Sequence, residues 1–310
     1  MIRCPITYEI IHAQKNYSPR GLHLLSPQLK NLRPLELTAA EQRQAAIAHA
    51  GKMSIQGMQT KLSAQLKIKE QHFAIVDRNG RYILKTPSEY YAELPENEAI
   101  TMSLAATINI EVPVHGLIYS KDKSMTYFIK RFDRIGHNKK LAVEDFTQLL
   151  GLDRATKYAS SMEKIINIII SFCTFPKIEL VKLLKLTLFN FLIGNEDMHL
   201  KNFSLITRDR KTTLSPAYDL LNSTIAQENI QEEIALPING KKNNLKKHDF
   251  LDYYAVEKLG LNQNVIKGVI QEIQQAIPHW KKLISYSFLS KNMQAKYLDL
   301  LKKRCQRLEL

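Results

Sequence analysis

The stretch Gly194-Asn195-Glu196-Asp197-Met198-His199-Leu200-Lys201-Asn202 decides how this 310-residue sequence reads. Ile178–Ile193 before it is apolar enough for a buried helix, and Phe203–Thr207 after it reads as a strand. The polar loop between them sets Asp197 and Asn202 five positions apart. Asp219 follows in Ser215-Pro216-Ala217-Tyr218-Asp219, beyond a short hairpin of Phe203–Thr207 and Thr212–Leu214 around Asp209-Arg210. A tight loop of this kind can turn a carboxylate and an amide oxygen toward one site. The first can accept a proton and the second can hold a hard cation.

Protein-kinase catalytic loops use this spacing, with the Asp taking the proton of the acceptor hydroxyl and the Asn holding magnesium. An acid just beyond a short hairpin, where Asp219 stands, is the main metal ligand of that arrangement. Magnesium prefers oxygen ligands and keeps waters, so one Asn and one Asp suffice beside phosphate oxygens. Lys85 ends a strand and lies thirteen residues before Glu98 on the next helix, the order of a kinase phosphate-binding lysine and its steadying carboxylate. The loop Ser54-Ile55-Gln56-Gly57-Met58-Gln59-Thr60-Lys61 has a single glycine and is neither a Walker A nor a kinase glycine-rich loop. Gly57 still permits backbone N–H groups to approach a phosphate, and Lys61 can add charge.

Working outward, Thr38–Ala50 reads as a helix opened by a Thr-Ala-Ala-Glu capping box, after an irregular start. Leu62, Ala64, Leu66 and Ile68 alternate as a strand does. Phe73–Val76 and Tyr82–Lys85 flank Asp77-Arg78-Asn79-Gly80, which predicts a hairpin. Pro95-Glu96-Asn97-Glu98 opens a helix to about Thr107, and Val112–Tyr119 with Met125–Phe132 predicts a second hairpin. Beyond Asp133, helices are expected over Ala142–Leu150, Ala155–Phe175, Ile178–Ile193, Leu251–Leu259, Asn264–Ile277 and Asn292–Arg307. The expected fold is α+β and bilobal: a β-rich N-lobe over 1–131 and a helical C-lobe over 132–310.

Composition narrows the class. Apolar residues at 45% and charged residues at 24% exclude a disordered or fibrous chain. Three scattered cysteines, Cys4, Cys173 and Cys305, give neither a disulfide scaffold nor a zinc module and suit a reducing compartment. The first residues carry no apolar run of signal-peptide length. Ile165–Phe175 and Leu180–Ile193 fall short of a membrane span, so a cytoplasmic protein with no membrane partner is expected. Net charge is +14, of which Lys241–Leu310 supplies +8. With no zinc-finger spacing or RNA-binding aromatic motif beside it, that charge reads as a solvated face rather than a nucleic-acid surface.

Taken together, these segments resemble the HipA-like serine/threonine kinases, toxin components of bacterial toxin–antitoxin modules. The resemblance runs nearly end to end, through Leu24-Leu25-Ser26-Pro27, Ser54–Lys61, Leu84-Lys85, Leu94-Pro95-Glu96-Asn97-Glu98, Lys130-Arg131-Phe132-Asp133-Arg134, Glu144-Asp145-Phe146, Gly194–Asn202 and Ala217-Tyr218-Asp219. It implies ATP and Mg2+ as cofactors, Asp197 as catalytic base, and Asn202 and Asp219 as metal ligands, with Tyr218 beside the nucleotide. It implies Lys85 on phosphate, Gln56, Gly57, Met58, Gln59, Thr60 and Lys61 as the phosphate loop, and Lys130, Arg131 and Phe132 as a hinge meeting adenine through its backbone. His199 and Lys201 flank the catalytic site. Ser54 matches a serine that relatives autophosphorylate, which expels the phosphate loop. A phosphoserine adds about −2 charge beside ATP phosphates, which makes that switch physically reasonable.

Longer relatives carry an extra N-terminal subdomain before the region matching Met1, so the sequence resembles the short HipT-type kinases of three-gene modules. That implies a small antitoxin-like partner resembling the extra subdomain, and a helix-turn-helix partner through which DNA is met only indirectly. It also implies an aminoacyl-tRNA synthetase as substrate. Two other readings stay open from the residues alone: a catalytically silent kinase-like binding module, and a small-molecule kinase on the same core.

Overall fold

A computed structural model describes residues 2–12, 14–49, 60–136, 139–153, 156–227 and 231–310. Ser54, Gln56, Gly57, Met58 and Gln59 lie outside the described residues. The chain divides into two compact units. One comprises residues 1–100, 113–138 and 285–290, and the other 101–112, 139–284 and 291–310.

The first unit opens with a two-residue ladder, β1 (Ile2–Arg3) against β2 (Ile10–Ile11). Helix α1 (Pro19–Leu25) follows, capped by the Ser18 hydroxyl and begun by proline, where an irregular stretch is expected from the sequence. Helix α2 (Ala39–His49) carries the expected capping box: Glu41 Oε2 accepts from the Thr38 N–H at 2.8 Å, and Thr38 Oγ1 accepts from the Glu41 N–H at 3.2 Å. A five-stranded antiparallel sheet is the heart of the unit: β3 (Lys61–Lys67), β4 (His72–Ile75), β5 (Tyr82–Lys85), β6 (His115–Tyr119) and β7 (Met125–Lys130), in spatial order β4-β3-β5-β7-β6. Helix α3 (Leu94–Ala106) enters the sequence between β5 and β6. One sheet face packs Leu62, Ala64, Leu84 and Phe128 with Leu22, Leu25, Leu29 and Leu32. This burial of alternating strand residues is what the period-two pattern demanded.

The expected hairpin between Phe73–Val76 and Tyr82–Lys85 is not formed. β4 and β5 lie on opposite sides of β3, and the tight turn is instead the β3–β4 one, with Lys67 opposite His72. The Asp77–Gly80 segment crosses β3: the Val76 N–H donates to the Ser63 carbonyl and the Arg81 N–H to the Ala64 carbonyl. Asn79 does take a positive φ of 58°. Gly80 is required by close approach, since a Cβ there would stand 1.9 Å from Ser63 Oγ.

The second unit holds a three-stranded antiparallel sheet, β8 (Ala142–Asp145), β9 (Ser204–Arg208) and β10 (Lys211–Leu214), with β9 central. Asp209 and Arg210 both have positive φ in the β9–β10 turn, as predicted for a hairpin there. Ala142–Leu150 was expected as one helix. It is β8 followed by the one-turn α4 (Phe146–Leu149), because Asp145 ends the strand and caps the helix in a box with Gln148. Likewise the expected Ala155–Phe175 helix begins only at Met162 as α5 (Met162–Phe172), and Thr156–Ser160 is a run of turns.

Helix α6 (Pro176–Ile193) is the core of this unit, with Leu183, Leu184, Leu188, Phe189, Phe191, Leu192 and Ile193 all fully buried. α7 (Ser223–Ala226) is a single turn capped by Asn222, and Asp249–Lys258 winds as a wide π-helical segment. Helix α8 (Gln263–Tyr286) runs past the predicted end at Ile277, straight through Pro278, because buried Trp280 and Ile284 hold the second half. Helix α9 (Lys291–Leu308) closes the chain and packs along α6. Mixed α/β architecture is therefore as expected. No helix among the described residues is long and apolar enough to cross a membrane.

Candidate active site

The catalytic-loop candidate begins where α6 stops. Gly194 caps that helix in the left-handed conformation, φ 72° and ψ 39°. A side chain is excluded there, since a Cβ would meet Leu300 Cδ2 at 2.4 Å and Thr224 Oγ1 at 2.7 Å. The Gly194 carbonyl accepts from the Thr224 N–H and hydroxyl and from the Ser223 hydroxyl, and Ser223 Oγ accepts from the Glu196 N–H at 2.7 Å. The loop thus leaves the helix with its backbone groups already satisfied.

Asp197 is fixed through its backbone. Its N–H donates to Asn195 Oδ1 at 3.3 Å, and its carbonyl accepts from the His199 N–H at 2.8 Å and from Asn202 Nδ2 at 2.9 Å. Its side chain remains 45% exposed. His199 is the opposite case, with a side chain only 8% exposed and Nε2 standing 3.9 Å from Asp197 Oδ1. Burial pushes the imidazole pKa down, against the pull of the Asp197 and Asp219 carboxylates. Its Nδ1 is buried without a hydrogen-bond partner. His199 therefore forms a wall of the site more readily than a proton carrier.

Asn202 is buried, and because its Nδ2 is spent on the Asp197 carbonyl, its amide oxygen stays uncommitted among the described residues. Asp219 reaches the same neighbourhood through Tyr218, whose hydroxyl donates to the Lys201 carbonyl at 2.9 Å and lies 2.5 Å from Ser204 Oγ. Burial pushes the Tyr218 phenol pKa up. Asp219 itself sits at a positive φ of 55°, a backbone cost that aspartate tolerates better than most residues. Asp197, Asn202 and Asp219 are thus drawn into one region of the second unit. An amide oxygen and a carboxylate are the hard donors that Mg2+ prefers, so the residues fit that ion when phosphate oxygens and water complete its shell. No group of three His, Cys, Asp or Glu side chains suited to a metal occurs among the described residues.

Lys201 pairs with Asp145 at 3.1 Å, which ties β8 to the loop. Two contributors were missed. Asp145 lies in the Glu144-Asp145-Phe146 motif, whose spacing carries no signal of this pairing. Tyr158, whose hydroxyl donates to Asp197 Oδ1, lay in a stretch read as uninterrupted helix and gave no sequence signal. A cavity of about 120 Å³ lined by Asn202, Phe203, Ser204, Ser215 and Ala217 lies beside the loop, but neither Asp197 nor Asp219 lines it.

Within the first unit, Lys85 Nζ and Glu98 Oε1 are 2.5 Å apart, with side chains 5% and 3% exposed. Lys85 also stands 5.5 Å from the Tyr127 ring centroid and opposite Lys61 in the ladder. Thr60 and Thr86 hydroxyls are 2.5 Å apart. At the predicted hinge, the Lys130 N–H donates to the Val114 carbonyl and the Arg131 N–H to the Arg81 carbonyl. Arg131 spends its guanidinium on Asp133, at 3.0 and 2.8 Å. Phe132 is half-buried beside them.

A family profile described as HipA-like C-terminal domain matches residues 53–280. A kinase-named protein of Haemophilus influenzae is 30% identical over 89% of this chain and 88% of its own length. The serine/threonine-protein kinase toxin HipA of Shewanella oneidensis is 28% identical over 73% of this chain and 56% of its own. The chain thus spans most of the first relative and about half of the second. Among solved structures, Shewanella oneidensis HipA in complex with HipB and operator DNA aligns with TM-score 0.72 at 21% identity, over 90% of this chain and 72% of that one. The Helicobacter pylori proinflammatory kinase CtkA aligns with TM-score 0.58 at 16% identity, over 83% and 92%. At those identities the structures speak for the fold.

Proposed function

From the premise that this chain belongs to the HipA-like C-terminal domain family, we propose that it is an ATP- and Mg2+-dependent serine/threonine protein kinase acting as a toxin. The observation that carries this reading is Asp197: backbone held by three hydrogen bonds, carboxylate half open, and Asn202 anchored to its carbonyl. The acceptor hydroxyl gives its proton to Asp197 as its oxygen bonds to the γ-phosphorus and the bond from that phosphorus to the β–γ bridging oxygen breaks, releasing ADP. Lys85, oriented by Glu98, holds phosphate oxygens. Asn202 and Asp219 would hold Mg2+, which when bound supplies neutralisation of phosphate charge. Residues 1–131 are the proposed N-lobe with the phosphate loop Gln56–Lys61 and the strand lysine, 132–310 the proposed C-lobe with the catalytic loop and Asp219, and Ser54 the proposed autophosphorylated serine. With the N–H groups of Lys130 and Arg131 already engaged, a hinge at 130–132 would meet adenine chiefly through carbonyl oxygens.

The match over 88% of the Haemophilus relative's length supports a kinase of the shorter, HipT-type form. For partners we propose a small antitoxin-like protein and a helix-turn-helix protein, the latter because HipA was solved with HipB and operator DNA. An aminoacyl-tRNA synthetase is the proposed substrate and the cytoplasm the proposed location. Asp197→Asn in the full chain should lower phosphate transfer from radiolabelled ATP by about 10²–10⁴-fold with the fold unchanged by circular dichroism. Undiminished incorporation in the folded variant would overturn the reading.

A further inference from the structure

We propose that Tyr158 is a specificity-determining residue that guards the Asp197 carboxylate against water, so that phosphate passes to a bound protein hydroxyl rather than to solvent. The inference rests on Asp197 being the acceptor base. The Tyr158 hydroxyl donates to Asp197 Oδ1, which is the bond an acceptor serine hydroxyl has to make. The phenol stands in that hydroxyl's place.

Three observations separate this from a merely structural contact. Asp197 is already fixed by backbone hydrogen bonds to Asn195, His199 and Asn202, none of which involves Tyr158. The Asp197 side chain is 45% exposed, so without the phenol its Oδ1 would be open to solvent. Tyr158 is also held to return to one position: its ring lies edge-on to His199 at 5.1 Å, and the Lys157 carbonyl accepts from the Leu200 N–H at 3.2 Å. Burial and the neighbouring carboxylate push the phenol pKa up, which keeps it a donor.

The reaction being suppressed is simple. A water oxygen bonds to the γ-phosphorus, the bond from phosphorus to the β–γ bridging oxygen breaks, ADP leaves, and the water proton goes to Asp197. Water brings only its own hydrogen bond to displace the phenol. A protein acceptor brings binding energy from remote contacts, and a hydrogen bond at a 42% exposed tyrosine is weak enough for that energy to break. Discrimination follows from this difference.

The test uses the full chain carrying Ser54→Ala, which removes the proposed autophosphorylation acceptor, with ATP and Mg2+ and no protein substrate, following steady-state ADP release in a coupled assay. Tyr158→Phe, which keeps the ring and deletes the hydroxyl, should release ADP about tenfold faster at an unchanged melting temperature. Tyr158→Leu should also exceed the parent rate. Unchanged or slower release in both folded variants would overturn the proposal. Asp197→Asn, alone and combined with Tyr158→Phe, should abolish release. Release that persists in Asp197→Asn would instead overturn the base assignment itself, whatever the Tyr158 variants do.

Discussion

Two lysine–carboxylate pairs, one within each unit, are built to opposite specifications. Lys85–Glu98 is short and dry, 2.5 Å with side chains 5% and 3% exposed. Lys201–Asp145 is longer and wetter, 3.1 Å with 37% and 17%. In the first, each charge has lost its water and sits directly against the other. In the second, solvent screens both and the pair mainly steers two side chains. The difference teaches which lysine is pre-organised. The buried ammonium of Lys85 packed against Glu98 has little room to reorganise, whereas Lys201, 37% exposed beside Asp145, has more.

The sharpest way to break this contrast is Glu98→Ala, which takes from the buried Lys85 the carboxylate 2.5 Å away. It should cost about 3–5 kcal/mol of unfolding free energy in urea titration. A cost no larger than that of Lys201→Ala would show that burial does not distinguish the pairs.

A buried carboxyl without so close a cation sharpens the contrast from the other side. Glu196 hydrogen-bonds to Thr224 Oγ1 with Arg304 Nη2 at 4.0 Å, and burial pushes its pKa up to about 7. Because the folded state then holds a proton that the unfolded chain has lost, stability falls as pH rises from about 4.5 to about 7. Glu96, raised to about 7 by burial, slopes the same way. Glu196→Gln should therefore leave a shallower, not flat, stability–pH curve over that window, measured by thermal melts. A slope identical to the parent's would contradict the burial argument.

The smallest effect is expected from Lys201→Ala, about 0–1 kcal/mol in the same urea titration, vanishing at high salt.

Much of the candidate site was legible because its parts are local. Asp197 and Asn202 share one loop, Gly194 marks the helix end, and the Asp209-Arg210 turn brings the chain back toward Asp219. The strand and helix that bear Lys85 and Glu98 were equally readable from period and capping. Illegible parts were those in which a local signal had two structural solutions. Asn79 and Gly80 announce a turn, but not whether the strands beside it pair with each other or straddle β3. Ala142–Leu150 is apolar at helical spacing, yet its first half completes a ladder with β9. Pro278 is a helix breaker in isolation, overruled by Trp280, whose ring packs on Phe189 at 5.5 Å and whose Nε1 donates to Thr107 Oγ1.

By itself, then, the sequence determined the chemical inventory, the order of its parts and the class of fold, because residue type, period and capping act over a few positions. Which strands are neighbours, which ion pair is dry, and that a tyrosine hydroxyl donates to the Asp197 carboxylate were decided only by tertiary structure. Those properties depend on what distant segments remove from water, and solvent exclusion has no signature in any single stretch of chain.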